Sequence, residues 1–342
     1  MIPAPRRRPL TAWRLFAPLL VLLATPAAGE PAGSAAPAPV QRGTSESTTK
    51  IDDEQLEYLL RIHHAEQEDV RLVLLPAVVT NRRGKLVTGL EAEDFSVSED
   101  HVPQQIRYFG TEEVDAISVA FLLDVSGSMR QVGKLDEAKE SIRIFIDSLR
   151  EGDQFGLICF ADDQVAWITE FTDDRETFMA RLNVQEGYGQ TALFDALAAT
   201  PGLVDAGMEG RKAIVLITDG TDNASRMNTL KSVQVARQVN VPIYIIGFRS
   251  LADEMLKQIG KERGLPVLQR FSDETGGTMF SVYDPDDLKE AVLRIQKELR
   301  FQYIIGYYPT RTRFDGGFRR VQLATDRPSH DVRTRSGYYA NP

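Results

Sequence analysis

The sequence is poor in the residues that build disulfide frameworks and cysteine-rich metal sites. Its 342 residues include a single cysteine, Cys159, so neither a disulfide nor a cysteine-rich zinc site can be built within one chain. Positive charge is not in excess either, because 40 Lys and Arg face 49 Asp and Glu, for a formal charge of −9. Since an acidic chain gains no net attraction to phosphate backbones, nucleic acid is not an expected partner.

The first thirty residues lack an apolar run long enough to span a membrane. Arg6, Arg7, Arg8 and Arg14 precede the apolar residues 15–24, and the small residues Ala27, Ala28 and Gly29 follow. A spanning helix needs about 20 apolar residues, so we interpret residues 1–29 as a secretory signal peptide. Its removal deletes four positive charges and takes the net charge from −9 to −13. We therefore expect an exported protein, periplasmic or secreted, with no membrane span after cleavage; the alternative is an uncleaved N-terminal anchor.

The rest of the chain divides into segments of different composition and residue pattern. Residues 30–50 are rich in Ala, Pro, Gly, Ser and Thr, which predicts a disordered linker. Residues 66–114 contain short extended runs at 70–80, 86–90 and 95–99, with turn residues between them, as in antiparallel strands. Similar extended runs occur at 301–308, 319–324 and 332–339, within residues 300–342. We expect these two ends to pack together as a smaller, sandwich-like β-rich domain that flanks or receives the middle of the chain as an insertion.

Residues 116–299 alternate strand and helix patterns. Residues 117–123 form a continuous apolar run, typical of a strand covered on both faces. The next helix has apolar residues spaced three or four apart, and the last helix is expected to begin with Asp284 as a cap and Pro285 in its first turn. Further strand candidates are 155–160, 165–169, 213–218, 241–247 and 278–282. This order predicts an α/β fold with a doubly wound, mainly parallel, Rossmann-like sheet.

Oxygen-bearing side chains follow three of the predicted strands, at Asp124-Val125-Ser126-Gly127-Ser128, at Thr191 after a glycine-rich stretch, and at Asp219-Gly220. Ligands of open α/β sheets collect at the carboxyl ends of the strands, so these residues are candidates for one site. Each also has a purely structural explanation when it is taken alone. Asp124, Ser126 and Thr191 could cap helices, and Asp-Gly is an ordinary turn pair.

Taken together and in this order, Asp124, Ser126, Ser128, Thr191 and Asp219 resemble the metal-ion-dependent adhesion site of von Willebrand factor A (VWA) domains. The resemblance covers about residues 116–299. It implies that the three hydroxyls bind the metal directly and that the two carboxylates act largely through waters. The β-rich ends, including Val87-Thr88-Gly89-Leu90 and the two Gly-Tyr-Tyr sequences at 306–308 and 337–339, resemble those of exported bacterial VWFA-related proteins.

The residue types suit a hard divalent cation, which prefers oxygen ligands. Mg²⁺ is our first expectation, and Mn²⁺ or Ca²⁺ are alternatives. Two carboxylates roughly cancel the charge of the cation and neutral hydroxyls add nothing further, so it can accept another carboxylate from an unknown protein or other acidic partner. Residues beside the ligands could touch that partner or be solvated loop residues: Met129, Tyr188, Gln190, Asp222 and Asn223.

The sequence lacks the catalytic motifs of the enzyme classes that its residues could suggest. Ser126 stands where a phosphatase Asp-x-Asp pair needs its second carboxylate, no Gly-x-Ser-x-Gly elbow exists, and all four histidines lie outside residues 116–299. The loop after residue 123 also lacks the phosphate-loop pattern. We therefore expect a non-enzymatic, extracytoplasmic protein-binding or adhesion module. The alternative is an assembly or scaffold factor for an envelope complex; a metal-dependent hydrolase is favoured less.

Overall fold

The computed structural model describes residues 71–114, 116–205, 211–238, 241–249 and 265–341. The predicted signal peptide (1–29) and linker (30–50) lie outside the described residues. Among the helices that the structure describes, none is both long and apolar enough to cross a membrane.

The described chain forms fourteen strands and six α-helices. The strands are β1 (Val73–Asn81), β2 (Phe95–Glu99), β3 (Val102–Gln104), β4 (Ile106–Glu113), β5 (Ile117–Asp124), β6 (Gln154–Ala161), β7 (Gln164–Thr172), β8 (Arg211–Thr218), β9 (Ile243–Phe248), β10 (Met279–Val282), β11 (Phe301–Tyr307), β12 (Phe318–Thr325), β13 (His330–Arg333) and β14 (Gly337–Tyr339). The helices are α1 (Lys134–Asp147), α2 (Arg175–Asn183), α3 (Leu193–Asp205), α4 (Thr229–Ala236), α5 (Leu265–Thr275) and α6 (Pro285–Arg300). Short 3₁₀ helices lie at Ala92–Asp94 and Gly127–Gly133.

A six-stranded sheet with the order β10-β9-β8-β5-β6-β7 forms the middle of the chain. Every neighbouring pair is parallel except β6 and β7, which are antiparallel. Val119, Phe121 and Leu123 of β5 pack in one core with α1, α2 and α6, whereas Ala120 and Leu122 pack in a second core with α3, α4 and α5. Successive strand residues point to opposite faces, so a strand between two helical layers is apolar throughout. The predicted doubly wound α/β fold is confirmed.

The remaining strands form two antiparallel four-stranded sheets, with the orders β13-β1-β11-β4 and β14-β12-β2-β3. Side chains from both sheets enter one shared core, for example Leu75 of β1, Val97 of β2 and Val321 of β12. The fold therefore has the expected smaller β-rich part beside the α/β sheet. In both sheets, strands from before residue 115 pair with strands from after residue 300.

Two strand predictions at the ends of the chain need correction. Residues 86–90 form no strand beyond a single bridge between Leu86 and Thr80, because the hydroxyl of Tyr303 forms hydrogen bonds with two of their backbone groups. That hydroxyl accepts from the Leu90 N–H at 3.1 Å and donates to the Val87 carbonyl at 3.0 Å. The predicted run 332–339 is divided between β13 and β14, since the first pairs with β1 and the second with β12.

A buried polar cluster in the β-rich part contains the first tyrosine of each of the two Gly-Tyr-Tyr sequences. Glu99 Oε2 accepts hydrogen bonds from the hydroxyls of Tyr307 at 2.8 Å and Tyr338 at 2.7 Å, and Arg319 Nη1 lies 3.4 Å from Oε1. Burial and the neighbouring Glu99 carboxylate raise the pKa of both tyrosines. A charged group with several partners is tolerated in a core, so we interpret this cluster as structural.

Candidate functional site

The first candidate loop follows β5, an interior strand of the six-stranded sheet, and begins with a buried carboxylate. Asp124 Oδ1 accepts from the backbone N–H of Ser126 at 2.9 Å, and Oδ2 accepts from the hydroxyl of Thr218 at 2.7 Å. The hydroxyl oxygens of Ser126 and Ser128 lie 3.0 Å apart. Two hydroxyls and a carboxylate are thus held together at the carboxyl end of β5.

The second loop, residues 187–191, contacts the first through its backbone. The Gly127 N–H donates to the Gly189 carbonyl at 3.0 Å, and the Tyr188 N–H donates to the Val125 carbonyl at 2.8 Å. A Cβ atom on Gly127 would lie 2.9 Å from the Gly189 carbonyl oxygen. Gly127 is therefore required for the close approach of the two backbones.

The third loop follows β8, the neighbour of β5. Thr218 joins the two strand ends, because its hydroxyl donates to Asp124 and accepts from the Gly220 N–H at 3.0 Å. Asp219 comes next, and its Oδ1 accepts from the Thr221 N–H at 3.1 Å. Its Oδ2 lies 2.9 Å from the ammonium of Lys134, the first residue of α1. The Asp219 carboxylate is thus nearly buried and paired with a cation of the protein itself.

The second and third loops are also joined. The Thr191 N–H donates to the side-chain oxygen of Asn223 at 2.8 Å, and the Asn223 N–H donates back to the Thr191 carbonyl at 3.0 Å. Thr191 itself is buried. Each of the three loops therefore makes hydrogen bonds to both of the others, and together they form one unit.

The third loop also caps the helix that follows the second. Asp222 Oδ1 accepts from the Leu193 N–H and the Ser225 hydroxyl accepts from the Phe194 N–H, both at 2.9 Å. These two N–H groups belong to the first turn of α3, where backbone N–H groups have no acceptor within the helix. The capping role that Thr191 could have had belongs to Asp222 and Ser225.

The electrostatics of the unit favour a bound cation. Desolvation raises the pKa of Asp124 to about 6, and the negative charge of Asp219 adds to the increase, while hydrogen bonds from Ser126 and Thr218 oppose it. An ionised carboxylate in such a place gains from any positive charge brought near it. The ammonium of Lys134 beside Asp219 shows that the loops accommodate a positive charge.

The donor chemistry of the unit fits a hard divalent cation. Carboxylate and hydroxyl oxygens are the ligands that such an ion prefers, and Asp124, Ser126 and Ser128 supply them side by side. Within the described ranges, no group of three or more His, Cys, Asp and Glu side chains is placed to bind a metal ion. A cation held here would therefore depend on hydroxyl ligands.

The predicted rim residues differ in exposure. Tyr188 is half exposed, at 51%, and Gln190 and Asn223 are exposed. The prediction for Met129 is wrong. Its side chain is fully buried in the core between the sheet and α1, because the 3₁₀ helix Gly127–Gly133 turns it inward, so it offers no surface to a partner. Asp222 is partly buried and serves as the cap of α3.

Three residues of the unit were missed by sequence reasoning. Thr218 is the last residue of β8, and because it follows an apolar run it looks like an ordinary strand end. Asp162 has φ +52° and accepts from the Gln190 N–H at 2.7 Å, which fixes the second loop from the side of β6. Lys134 lies 85 residues from Asp219, and no local pattern predicts that pair.

A family model described as "von Willebrand factor type A domain" matches residues 118–293, about half of the chain. The chain belongs to this family. Domains of the VWA family are commonly protein-interaction, adhesion or assembly modules, are generally not enzymes, and often bind a divalent metal.

The similarity to individual proteins is low. An uncharacterized protein of Borreliella burgdorferi is 29% identical over 199 residues, covering 53% of this chain and 58% of the relative. The inter-alpha-trypsin inhibitor heavy chain H2 of Mus musculus is 23% identical, covering 57% of this chain and 21% of the relative. Among solved structures, a von Willebrand factor type A protein from Catenulispora acidiphila has a TM-score of 0.45 at 15% identity, covering 73% of this chain and 75% of that one. The chain spans less than two thirds of the length of either curated relative.

Proposed function

We propose that this protein is an extracytoplasmic protein-binding or adhesion module in which a divalent cation receives an acidic group of the partner. The residues that would hold the cation are Asp124, Ser126, Ser128, Thr191 and Asp219. Mg²⁺ is the first candidate, with Mn²⁺ and Ca²⁺ as alternatives. Bound there, the cation would supply an electrophilic centre for a carboxylate.

The observation that carries this proposal is the pairwise hydrogen bonding of the three loops. Gly127 with Gly189, Asp124 with Thr218, and Thr191 with Asn223 fix the loops to one another. Ligands on separate, mobile loops would have to be ordered at a cost in conformational entropy when the cation binds. Loops that are already joined avoid much of that cost.

The exposed surface around the unit supports a protein partner. Tyr188, Gln190 and Asn223 surround the loops and remain open to solvent, and an exposed tyrosine offers both apolar area and a hydroxyl to a binding surface. The extracytoplasmic location rests on the sequence of residues 1–29. Cell fractionation, with N-terminal sequencing of the mature chain, tests it; a protein that remains cytoplasmic with Met1 or its neighbours intact contradicts that location.

The cation site is tested by the thermal midpoint of unfolding. We expect Mg²⁺ at about 100 times its Kd to stabilise the wild type by about 2.7 kcal/mol over the protein in EDTA, because it binds only the folded state. This corresponds to a rise of several degrees. Asp124→Ala should abolish the rise and leave the circular dichroism spectrum folded.

The matched control is Asp173→Ala, which removes an exposed carboxylate between β7 and α2 and should respond to Mg²⁺ as the wild type does. An unchanged midpoint of the wild type in millimolar Mg²⁺ and in millimolar Mn²⁺ would contradict the proposal.

Partner binding is tested by pull-down from envelope extracts with Mg²⁺ or EDTA. A partner retained equally by the wild type in EDTA and by Asp124→Ala would show that recognition does not use the cation.

A further inference from the structure

The ion pair between Lys134 and Asp219 joins α1 to the third loop of the candidate site. The ammonium nitrogen lies 2.9 Å from Asp219 Oδ2, and the side chains of Lys134 and Asp219 are 24% and 4% exposed. Charge-assisted hydrogen bonds that are shielded in this way are stronger than ion pairs in open solvent. We propose that Lys134 is a built-in counter-cation, which holds Asp219 while the divalent site is empty and has to leave it when the metal ion binds. This inference rests on the proposed function.

The position of Lys134 in its own helix supports a role outside that helix. Lys134 is the first residue of α1 and follows Gly133, which has φ +75°. The first turn of a helix carries a partial positive charge, so acidic residues stabilise it and a lysine does not. Asp136 and Glu137 are the acidic residues that suit this turn. The favourable partner of Lys134 is therefore Asp219 across the site.

The charges of the site show why the two cations compete. Asp124 and Asp219 bring at most two negative charges, and Lys134 already supplies one positive charge. A divalent cation among the same loops adds two more, which would leave like charges close together in a poorly solvated space. The long, flexible stem of Lys134 can withdraw its ammonium, whereas Asp124 is fixed by two hydrogen bonds.

Competition of this kind predicts two effects of opposite sign in Lys134→Gln. The metal-free variant should be less stable than the wild type, because Asp219 loses its partner. The variant should also bind the metal ion more tightly, because no ammonium has to be displaced. We expect its Kd for Mn²⁺ to be about ten-fold lower, the ratio that corresponds to losing a competing charged hydrogen bond.

The experiment measures Mn²⁺ binding by titration calorimetry, and the thermal midpoint in EDTA and in Mn²⁺, at one fixed pH. It compares the wild type, Lys134→Gln and Lys134→Met. Lys289→Gln is the matched control, since Lys289 is exposed on α6 and its loss should alter neither quantity. A lower midpoint in EDTA together with tighter Mn²⁺ binding in both Lys134 variants supports the inference.

Two other outcomes are distinguishable. If the wild type binds Mn²⁺ and both Lys134 variants bind it with the same or a higher Kd, Lys134 is a structural ion pair and the inference is wrong, while the proposed cation site stands. If neither the wild type nor the variants bind Mn²⁺ or respond to it, both the inference and the proposed cation site are wrong.

Discussion

At the scale of single residues, Asp124 combines two properties that usually exclude each other. It is fully buried, and it carries an ionisable group whose oxygens face other acidic and hydroxyl groups. Its pKa of about 6, raised from the ordinary 3.8 by desolvation, means that the folded protein binds this proton more tightly than the unfolded chain does. Stability from this group is present below about pH 4 and is lost as the pH rises through about 6.

The pH dependence of stability in EDTA tests this description. Asp124→Asn removes the ionisation, so its unfolding free energy relative to the wild type should increase by up to about 3 kcal/mol between pH 4 and pH 7.5, the value of a two-unit pKa shift. Urea denaturation across this range measures the difference, with Asp173→Asn as the control. A difference that stays constant with pH would mean that burial does not hold the proton on Asp124.

Gly127 shows how one missing side chain permits the site. A Cβ at this position would meet the Gly189 carbonyl at 2.9 Å, so Gly127→Ala should push the first and second loops apart. We expect Mg²⁺ affinity to fall by about ten-fold, which is about 1.4 kcal/mol. Calorimetric titration measures this, and Gly202→Ala is the control, because nothing lies within 4 Å of a Cβ added in α3. Wild-type affinity in Gly127→Ala would show that the loops tolerate separation.

At the scale of elements, an ion pair anchors the C-terminal end of α6 at the end of the sheet opposite to the candidate site. Asp153 accepts backbone N–H groups from Ile117, at the start of β5, and from Arg150, at 2.9 and 2.7 Å. The guanidinium of Arg300, the last residue of α6, pairs with the same carboxylate, which is fully buried. The ion pair thus joins the end of the last helix to the N-terminal end of the sheet.

Removal of Arg300 separates stability from cation binding. Arg300→Met leaves the Asp153 charge buried with fewer partners and should cost about 3 kcal/mol in unfolding free energy, measured by urea denaturation. Mg²⁺ affinity should be unchanged, because Ile117 marks the end of β5 opposite to Asp124. Arg270→Met removes a half-exposed guanidinium that lies 3.6 Å from Glu274 on α5, and it should cost less than about 1 kcal/mol. A large loss of Mg²⁺ affinity in folded Arg300→Met would link the two ends of the sheet.

At the scale of the whole molecule, the α/β sheet was predictable because its strands have apolar residues on both faces and its helices on one. The end of β5 could be located for the same reason, and with it Asp124, Ser126 and Ser128. Strand β4 was not predicted, since its residues are exposed or partly exposed on both faces and lack the alternation that marks a half-buried strand. Met129 was misplaced because an exposed loop and a turn of 3₁₀ helix look alike in sequence.

The long-range pairs of the site were beyond prediction. Thr218 with Asp124, and Lys134 with Asp219, join residues that lie 94 and 85 positions apart. A sequence identifies which groups follow each strand, but it does not show which lysine or threonine folds back onto them. The candidate ligands were therefore available from the sequence, whereas the electrostatics of the site came from the fold.

We propose that the three joined loops hold one divalent cation, and anomalous X-ray scattering from crystals soaked in MnCl₂ can locate it directly. We expect one strong peak per chain beside the paired hydroxyls of Ser126 and Ser128, at ligand distances of about 2 Å. The peak should be absent in Asp124→Ala. Crystals that diffract well but show no peak at these loops, or a peak that persists unchanged in Asp124→Ala, would contradict the proposed cation site.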